Sequence, residues 1–307
     1  MKIAMLTSWQ EACGIADYAA ALVAALRARV EVEVVSLAHG QTEAAYFRRL
    51  AQACNRADLV HVQHEYIFFG KRTPWAYRWP DLIRALRVPY VVTSHTWLKP
   101  AQGGPGWKRS ARRLRDALVR GTGWSAYLEA GQFKGAAGII THTRAHRGFL
   151  IRAGLSGEKI QVLPQGIPAG FPRGVADRAR RRWQLTGPVV TLFGFLNPAK
   201  GHELALAAWE QMPRDAVLVI AGRAFSERER DYARRLEQLA RQKGERVRWT
   251  GYLEEPDLAD LLAATDVVLM PYVHATASYA LSLALATGRP VLASDLAPFR
   301  EIRGEQA

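Results

Sequence analysis

Cysteine is scarce in this 307-residue sequence: Cys13 and Cys54 are the only two. Two isolated thiols build neither a disulfide framework nor a metal-ligand spacing, so the expectation is reduced, buried cysteines in a cytoplasmic protein. No apolar run reaches the ~18 residues of a membrane span. The N-terminal "MKIAMLTSWQ" reads as a short apolar strand running into a loop. It lacks the longer apolar segment and small-residue cleavage site of a signal peptide. Internal repeats and low-complexity tracts are also missing. The most local scarcity is of acid. From Val267 to Ser294 there is no Asp or Glu, in a stretch holding a loop, a helix-length segment, Gly-Arg-Pro and a short strand.

What is present describes a soluble globular protein, with 49% hydrophobic and 23% charged residues. The length exceeds one comfortable core and fits two domains. The formal net charge of +14 is unevenly placed. Residues 1–170 hold 23 Lys and Arg against 11 Asp and Glu, and the remainder holds 19 against 17. The N-terminal half is therefore expected to face something anionic.

Strand-like runs alternate with helix-length amphipathic segments along the chain. "KIAMLT" precedes "IADYAAALVAALRA", and "DLVHVQHE", "YVVTSHTW", "AAGIITHT" and "KIQVLPQG" follow at intervals. The pattern restarts at "PVVTLFGFL" and runs through "AVLVIAG", "RVRWTGYL", "VVLMPY" and "PVLASDL". Strands separated by helices predict parallel sheets, and the restart near Gly187 predicts two of them. Ligands of such sheets bind outside the carboxyl ends of the strands, so two facing domains would enclose a cleft.

Read in order, "GIADY", "VHVQHEY", "TSHTW", "VLPQGI", "FGFLNPAKG", "LVIAG", "GYLEEPDLADLLAATDVVLMPY" and "GRPVLASDLAPFREI" resemble the retaining glycosyltransferases of family 4. The resemblance runs from Met1 to Ile302. It implies an α/β chain of GT-B fold, with two Rossmann-like domains whose parallel sheets face across a cleft. An acceptor domain would occupy residues 1–170, a linker 171–186, and a nucleotide-sugar donor domain 187–307. The implied reaction is transfer of a sugar, with retention, from a nucleotide-diphosphate sugar to a glycan, lipid-linked or other phosphorylated acceptor. No cofactor is required beyond that donor, whose own phosphate would act as base while the protein positions the reactants.

In the C-terminal half, Gly194 at a strand end lets backbone approach a ligand, and Lys200 supplies charge for a diphosphate. A solvated lysine at a helix start is the alternative for Lys200, and the motif around it favours the phosphate role. The similar family motif carries Arg directly after the glycine, where this chain has Phe195, and Arg223 at the next strand end is the candidate replacement. The segment "ASYALSLALA" is expected to be a helix whose first N–H groups, at Ser278, Tyr279 and Ala280, bind phosphate without side-chain charge. The family's two glutamates fall on Leu283 and on or beside Ala275, so both are replaced. Thr276 and Ser278 remain to hydrogen-bond hydroxyls, more weakly than a carboxylate would. Gly251 and Leu253 resemble the loop that packs on the base. The neighbouring Glu254 and Glu255 fit that loop or the positive end of a helix equally well.

In the N-terminal half, Gly14 is placed where backbone could approach the donor phosphates. His95 in "TSHTW" matches the family's cleft histidine beside the transferred sugar. Asp17, His64 and Glu65 are the acceptor-side candidates. His61 and His64 lie at i and i+3 of a strand, on opposite faces, which argues against a shared metal, and no metal is expected.

The excess charge concentrates around Lys108, Arg109, Arg112 and Arg113, with Trp75, Trp79, Trp107 and Trp124 nearby in sequence. Such a patch suits an anionic membrane surface or a phosphate-bearing acceptor, and a solvated cationic face explains it as well. Nucleic acid is the least supported partner, because no DNA- or RNA-binding signature accompanies the charge. Similar proteins continue through a further helical segment after "FREIRGEQA". The expectation is a shortened C-terminal domain, naturally so, by truncation, or completed by a partner chain. The alternative to an active enzyme is a catalytically degenerate GT-B protein that binds nucleotide or glycan or partners an active transferase.

Overall fold

The structure, a computed structural model, describes residues 1–11, 13–97, 123–166, 170–224 and 227–302. Lys108, Arg109, Arg112 and Arg113 lie outside the described residues. The chain divides into two compact units, Met1–Pro164 and Gln165–Ala307.

The first unit is built on a six-stranded sheet of β1 (Lys2–Thr7), β2 (Glu31–Ser36), β3 (Leu59–His64), β4 (Tyr90–Ser94), β5 (Gly138–Thr141) and β6 (Ile160–Val162). Its order is β2-β1-β3-β4-β5-β6, and every neighbouring pair is parallel. Parallel neighbours require crossovers, and helices Gly14–Arg27, Ala44–Cys54 and Trp79–Ala85 supply the first three. β1 and β3 are almost wholly buried along their length, as expected of strands covered on both faces. Cys13 and Cys54 are both buried free thiols, and burial pushes Cys54 up to about 12.

The second unit carries β7 (Val189–Phe193), β8 (Val217–Ala221), β9 (Val247–Gly251), β10 (Val267–Met270) and β11 (Val291–Ala293) in the order β11-β10-β7-β8-β9. All pairs are again parallel. The period-2 alternation of each strand sorts its side chains into two cores. Val189, Phe193, Val217, Val219 and Ala221 pack on one face with Leu261, Leu262, Leu281, Leu283 and Phe299. Leu192, Leu218 and Ile220 pack on the other with Leu206, Trp209, Tyr232 and Leu236. Each face is thus sealed by helices, giving the three-layer α/β unit that the alternation predicts.

The expected linker 171–186 differs from its reading as a connector. It holds the helix Ala176–Trp183, whose Ala179 is buried in a core cluster of the second unit. Asp260 fastens it: Oδ1 accepts from the Val175 N–H at 2.7 Å, and Oδ2 pairs with Arg178 at 3.0 Å. An arginine-rich segment looks like a solvated connector until the buried carboxylate that receives it is known.

Candidate functional site

In the first unit the candidates gather where the strands end. His95 follows β4 and is 9% exposed. Its Nε2 lies 2.8 Å from Gln63 Oε1, and its backbone N–H donates to the His64 carbonyl at 3.1 Å. The edge of Tyr18, from the second turn of the helix Gly14–Arg27, meets the rings of both His95 and His142, with centroids 5.6 and 5.0 Å apart. His95 and His142 are themselves 5.1 Å apart, so three rings contributed by three elements meet here. Desolvation holds both histidines below the ordinary value, His95 far below it, and His142 further disfavours a positive charge on His95 and on His146.

Gly14 opens that same helix, and a Cβ there would meet nothing within 4 Å, so space remains beside its backbone. Asp17 sits exposed in the helix's first turn, where a carboxylate is favoured by the dipole.

His64 is corrected by the structure. Rather than standing at an accessible strand end, it is fully buried. Its ring stacks on Phe69 at 5.2 Å and meets Tyr66, Trp79 and Phe133 edge-on. Nε2 lies 3.0 Å from the Tyr77 hydroxyl, which donates onward to Gln132 at 2.6 Å. Burial pushes its pKa down to about 3. Aromatic pairs of this kind contribute about 0.5–1.5 kcal/mol each beyond their buried area, so His64 is a core residue. Glu65 is also engaged: one oxygen accepts from the Tyr66 N–H at 2.9 Å, capping the turn Tyr66–Phe69, and the other accepts from the Thr96 hydroxyl. Burial raises its pKa, and those two hydrogen bonds oppose the rise.

The second unit has a different set at its strand ends. Gly194 follows β7 with φ of 109°, a backbone state that disfavours any side chain. A Cβ placed there would lie 2.5 Å from Lys200 Nζ and 3.9 Å from Ala280 Cβ. The absent side chain is therefore what lets the ammonium rest against the backbone. It also sits 5.1 Å from the centroid of the Tyr272 ring. Gly222, after β8, makes an equally close approach, since a Cβ there would lie 2.0 Å from the Gly194 carbonyl oxygen.

Ser278 caps the helix Tyr279–Ala286, its Oγ accepting from the Leu281 N–H at 3.1 Å and donating to Tyr272 Oη at 3.5 Å. The Ser278 hydroxyl thus spends its proton and one lone pair on the fold, leaving one lone pair. The cap places the Tyr279 and Ala280 N–H groups in the helix's first turn, where no intrahelical acceptor exists. Thr276 is buried just before the cap. Leu283 and Ala275 belong to the same core as β7 and β8, so hydrocarbon fills the positions matched to the family's glutamates.

Arg223 and Tyr252 are exposed and stacked, with the guanidinium 4.5 Å from the ring centroid. Backbone bonds hold this corner: Leu196 N–H to the Arg223 carbonyl at 2.8 Å, and Gly222 N–H to the Gly251 carbonyl at 2.8 Å. Leu253 packs partly buried against the core. The structure thus brings Gly194, Lys200, Ala280 and Tyr272 together. Arg223, Gly251 and Tyr252 form a second group at the ends of β8 and β9. Sequence reasoning missed Gln63, Tyr18 and Tyr272, and weighed His142 only as a metal ligand. The alternation in "HVQHE" carries a signal for one of them, since it sets His61 and Gln63 on one face. Among the described residues no three His, Cys, Asp or Glu side chains converge as a metal set.

The model described as Glycosyltransferase Family 4 matches residues 43–171, and that described as Glycosyl transferases group 1 matches residues 187–307. The D-inositol 3-phosphate glycosyltransferase of Xylanimonas cellulosilytica is 26% identical over 268 residues, covering 82% of this chain and 60% of that protein. The 2-deoxystreptamine glucosyltransferase of Streptomyces kanamyceticus is 26% identical over 224 residues, 70% of this chain and 54% of that one. The chain therefore spans about three-fifths or less of the length of these curated relatives. Among solved structures, Anabaena HepE in complex with UDP and glucose superposes with a TM-score of 0.72 at 18% identity, covering 98% of this chain and 83% of HepE. Sucrose-phosphate synthase from Thermosynechococcus elongatus gives 0.67 at 19% identity, covering 98% and 82%. The chain is thus built from the two Rossmann-like domains of the GT-B glycosyltransferase fold, with a glycosyltransferase family model matched in each half.

Proposed function

We propose that the chain transfers a hexose, with retention, from a nucleotide-diphosphate sugar to a hydroxyl of a glycan, lipid-linked or other phosphorylated acceptor. The observation that carries this is the Lys200 ammonium seated over Gly194 beside the start of the helix Tyr279–Ala286. A cation, the first turn of a helix with its positive dipole end and a side-chain-free backbone lie together, and they suit a diphosphate. The complexes of HepE with UDP and with UDP-glucose, at the same fold, support a uridine donor. In this reading Gly14 and His95 act from the first unit, His95 by hydrogen bonding to the transferred sugar. Arg223, Gly251 and Leu253 flank the nucleotide. No cofactor is called for beyond the donor.

Calorimetric titration with UDP, GDP and ADP and their glucose conjugates tests the reading. Micromolar binding of one nucleotide, tightened by its sugar, is the expected result. Binding of none would sink it. A second reading, a degenerate GT-B protein that binds without transferring, is favoured by one observation: Leu283 and Ala275 are buried in hydrocarbon where the resemblance calls for glutamates. Tight binding with no release of free nucleotide in the presence of glycan acceptors would select it.

No helix among the described residues is long and apolar enough to cross a membrane. We assign Lys108, Arg109, Arg112 and Arg113 a peripheral role at an anionic bilayer surface on the cytoplasmic side. Replacing the three arginines by glutamate should abolish sedimentation with phosphatidylserine vesicles; undiminished sedimentation would remove that role.

A further inference from the structure

Gln63 lies on β3, buried to 0% exposure, and its amide links two histidines. Oε1 is 2.8 Å from His95 Nε2. Nε2 is 3.4 Å from Met5 Sδ and 3.4 Å from His61 Nε2. His61 Nε2 in turn lies 2.8 Å from the Thr93 hydroxyl. The orientation of the amide follows from the sulfur, because a thioether accepts hydrogen bonds and never donates them. The NH2 group therefore faces Met5 and His61, and the carbonyl oxygen faces His95.

The proton positions then follow in sequence. An amide oxygen only accepts, so His95 Nε2 must carry the proton. A neutral imidazole bears one proton, which leaves Nδ1 of His95 as a bare acceptor. His61 Nε2 receives the Thr93 hydroxyl and the Gln63 N–H, so His61 keeps its proton on Nδ1. In this assignment the Thr93 hydroxyl and the Gln63 amide both donate to His61 Nε2, and His95 Nε2–H donates to the Gln63 carbonyl oxygen. Burial keeps both rings neutral, His61 down to about 4 and His95 lower than its ordinary value by a wide margin.

We propose that Gln63 is a positioning residue for His95: it locks the ring as the Nε2–H tautomer, so that Nδ1 is offered as a hydrogen-bond acceptor to a sugar hydroxyl. This rests on the reading of His95 given above and deepens it, since it names the group recognised as a hydroxyl donor rather than a carbonyl, ether or phosphate oxygen. His95 Nδ1 has no hydrogen-bond partner among the described residues, unlike Nε2. The neutral ring gives the contact directionality without charge, so a hydroxyl is accepted and an anionic oxygen is repelled by the nitrogen lone pair.

The test uses the full chain labelled with 15N-histidine at pH 7.5, with His95 assigned through His95→Gln. Long-range 1H–15N spectra distinguish the protonated from the bare ring nitrogen. Wild-type His95 is expected to show a protonated Nε2 and a bare Nδ1. Gln63→Leu removes the acceptor and should convert this single tautomer to a mixture. Gln63→Glu should restore it and raise the protonation midpoint of His95 by about 1–3 pH units, because a carboxylate favours the imidazolium. A wild-type Nδ1–H tautomer overturns the proposal, and so does a folded Gln63→Leu protein with an unchanged His95. If the leucine variant does not fold, the wild-type tautomer and the Gln63→Glu midpoint decide. Saturation with UDP-glucose is expected to shift the Nδ1 signal. An unmoved Nδ1 under bound donor overturns the sugar contact itself, and with it the role proposed for His95, which is a failure distinct from a wrong tautomer.

Discussion

The strand ends of the two units are furnished in opposite ways. In the first, neutral rings and amides prevail: His61, His64, His95, His142 and His146 are all buried and all held below the ordinary histidine value by desolvation. In the second, cations prevail, with Lys200 over Gly194 and Arg223 on Tyr252, and His202 is the one histidine among its described residues that is buried. The contrast teaches a division of chemistry. Neutral groups in fixed tautomers discriminate hydroxyls by geometry, whereas cations and helix termini grip phosphate by charge and tolerate variation in shape. In the proposed reading, the second unit can lose carboxylates and keep its anion grip.

The sharpest way to break the comparison is at His95. His95→Ala should slow transfer about 100-fold by misplacing the sugar, with nucleotide affinity in calorimetry nearly unchanged. A parallel loss of nucleotide affinity would erase the division. Lys200→Ala should do the reverse, weakening UDP binding about 10-fold or more by removing a charge-assisted contact. Unchanged affinity would take Lys200 out of the anion grip.

Acid should separate the units by stability. Each buried histidine has a folded pKa below 6.5, so the unfolded chain takes up protons first as pH falls. The stability involved is fully present above about pH 6.5 and is lost progressively toward pH 4, where His61 itself titrates, at about 1.4 kcal/mol per pH unit for each histidine. With five such groups against one, the first unit should yield first. Limited proteolysis between pH 6 and 4 should cut within residues 1–164 while a fragment beginning near residue 165 persists. Simultaneous loss of both would show that histidine burial does not govern acid stability. The smallest effect is expected at Arg223→Ala, which removes an exposed stacked pair contributing about 0.5–1 kcal/mol. Nucleotide affinity should fall two- to fivefold, and a larger drop would make Arg223 a direct phosphate ligand on a par with Lys200.

Much of the architecture was legible because it depends on local pattern. The alternation of "PVVTLFGFL" and "AVLVIAG" with helix-length segments predicts parallel strands, and the two cores of the second unit confirm the period-2 sorting. What escaped reading depends on partners distant in sequence. The helix Ala176–Trp183 owes its place to Asp260. His64 reads as an accessible strand-end histidine until Phe69, Trp79 and Phe133 close around it. Ser278 reads as a ligand hydroxyl until its bond to Leu281 identifies it as a cap, a role that "S-Y-A-L" could have suggested. Gln63 shows in sequence only as sharing a strand face with His61, and its contact with His95, from the next strand, is what gives the amide a task.

The strand order of the second unit bears on how the chain is made. β7 pairs with β8 on one side and with β10 on the other, and Val190 meets Val267 across a long intervening stretch. While β7, β8 and β9 are already synthesised, β7 still shows one apolar, unpaired edge, and it keeps showing it until β10 leaves the ribosome. Parallel pairing over such separations is slow, and an open edge of Val189–Phe193 is a template for pairing with another nascent chain. Chains interrupted before Asp266 are therefore the species most prone to aggregate, and chaperone dependence during synthesis should end once residue 270 has emerged.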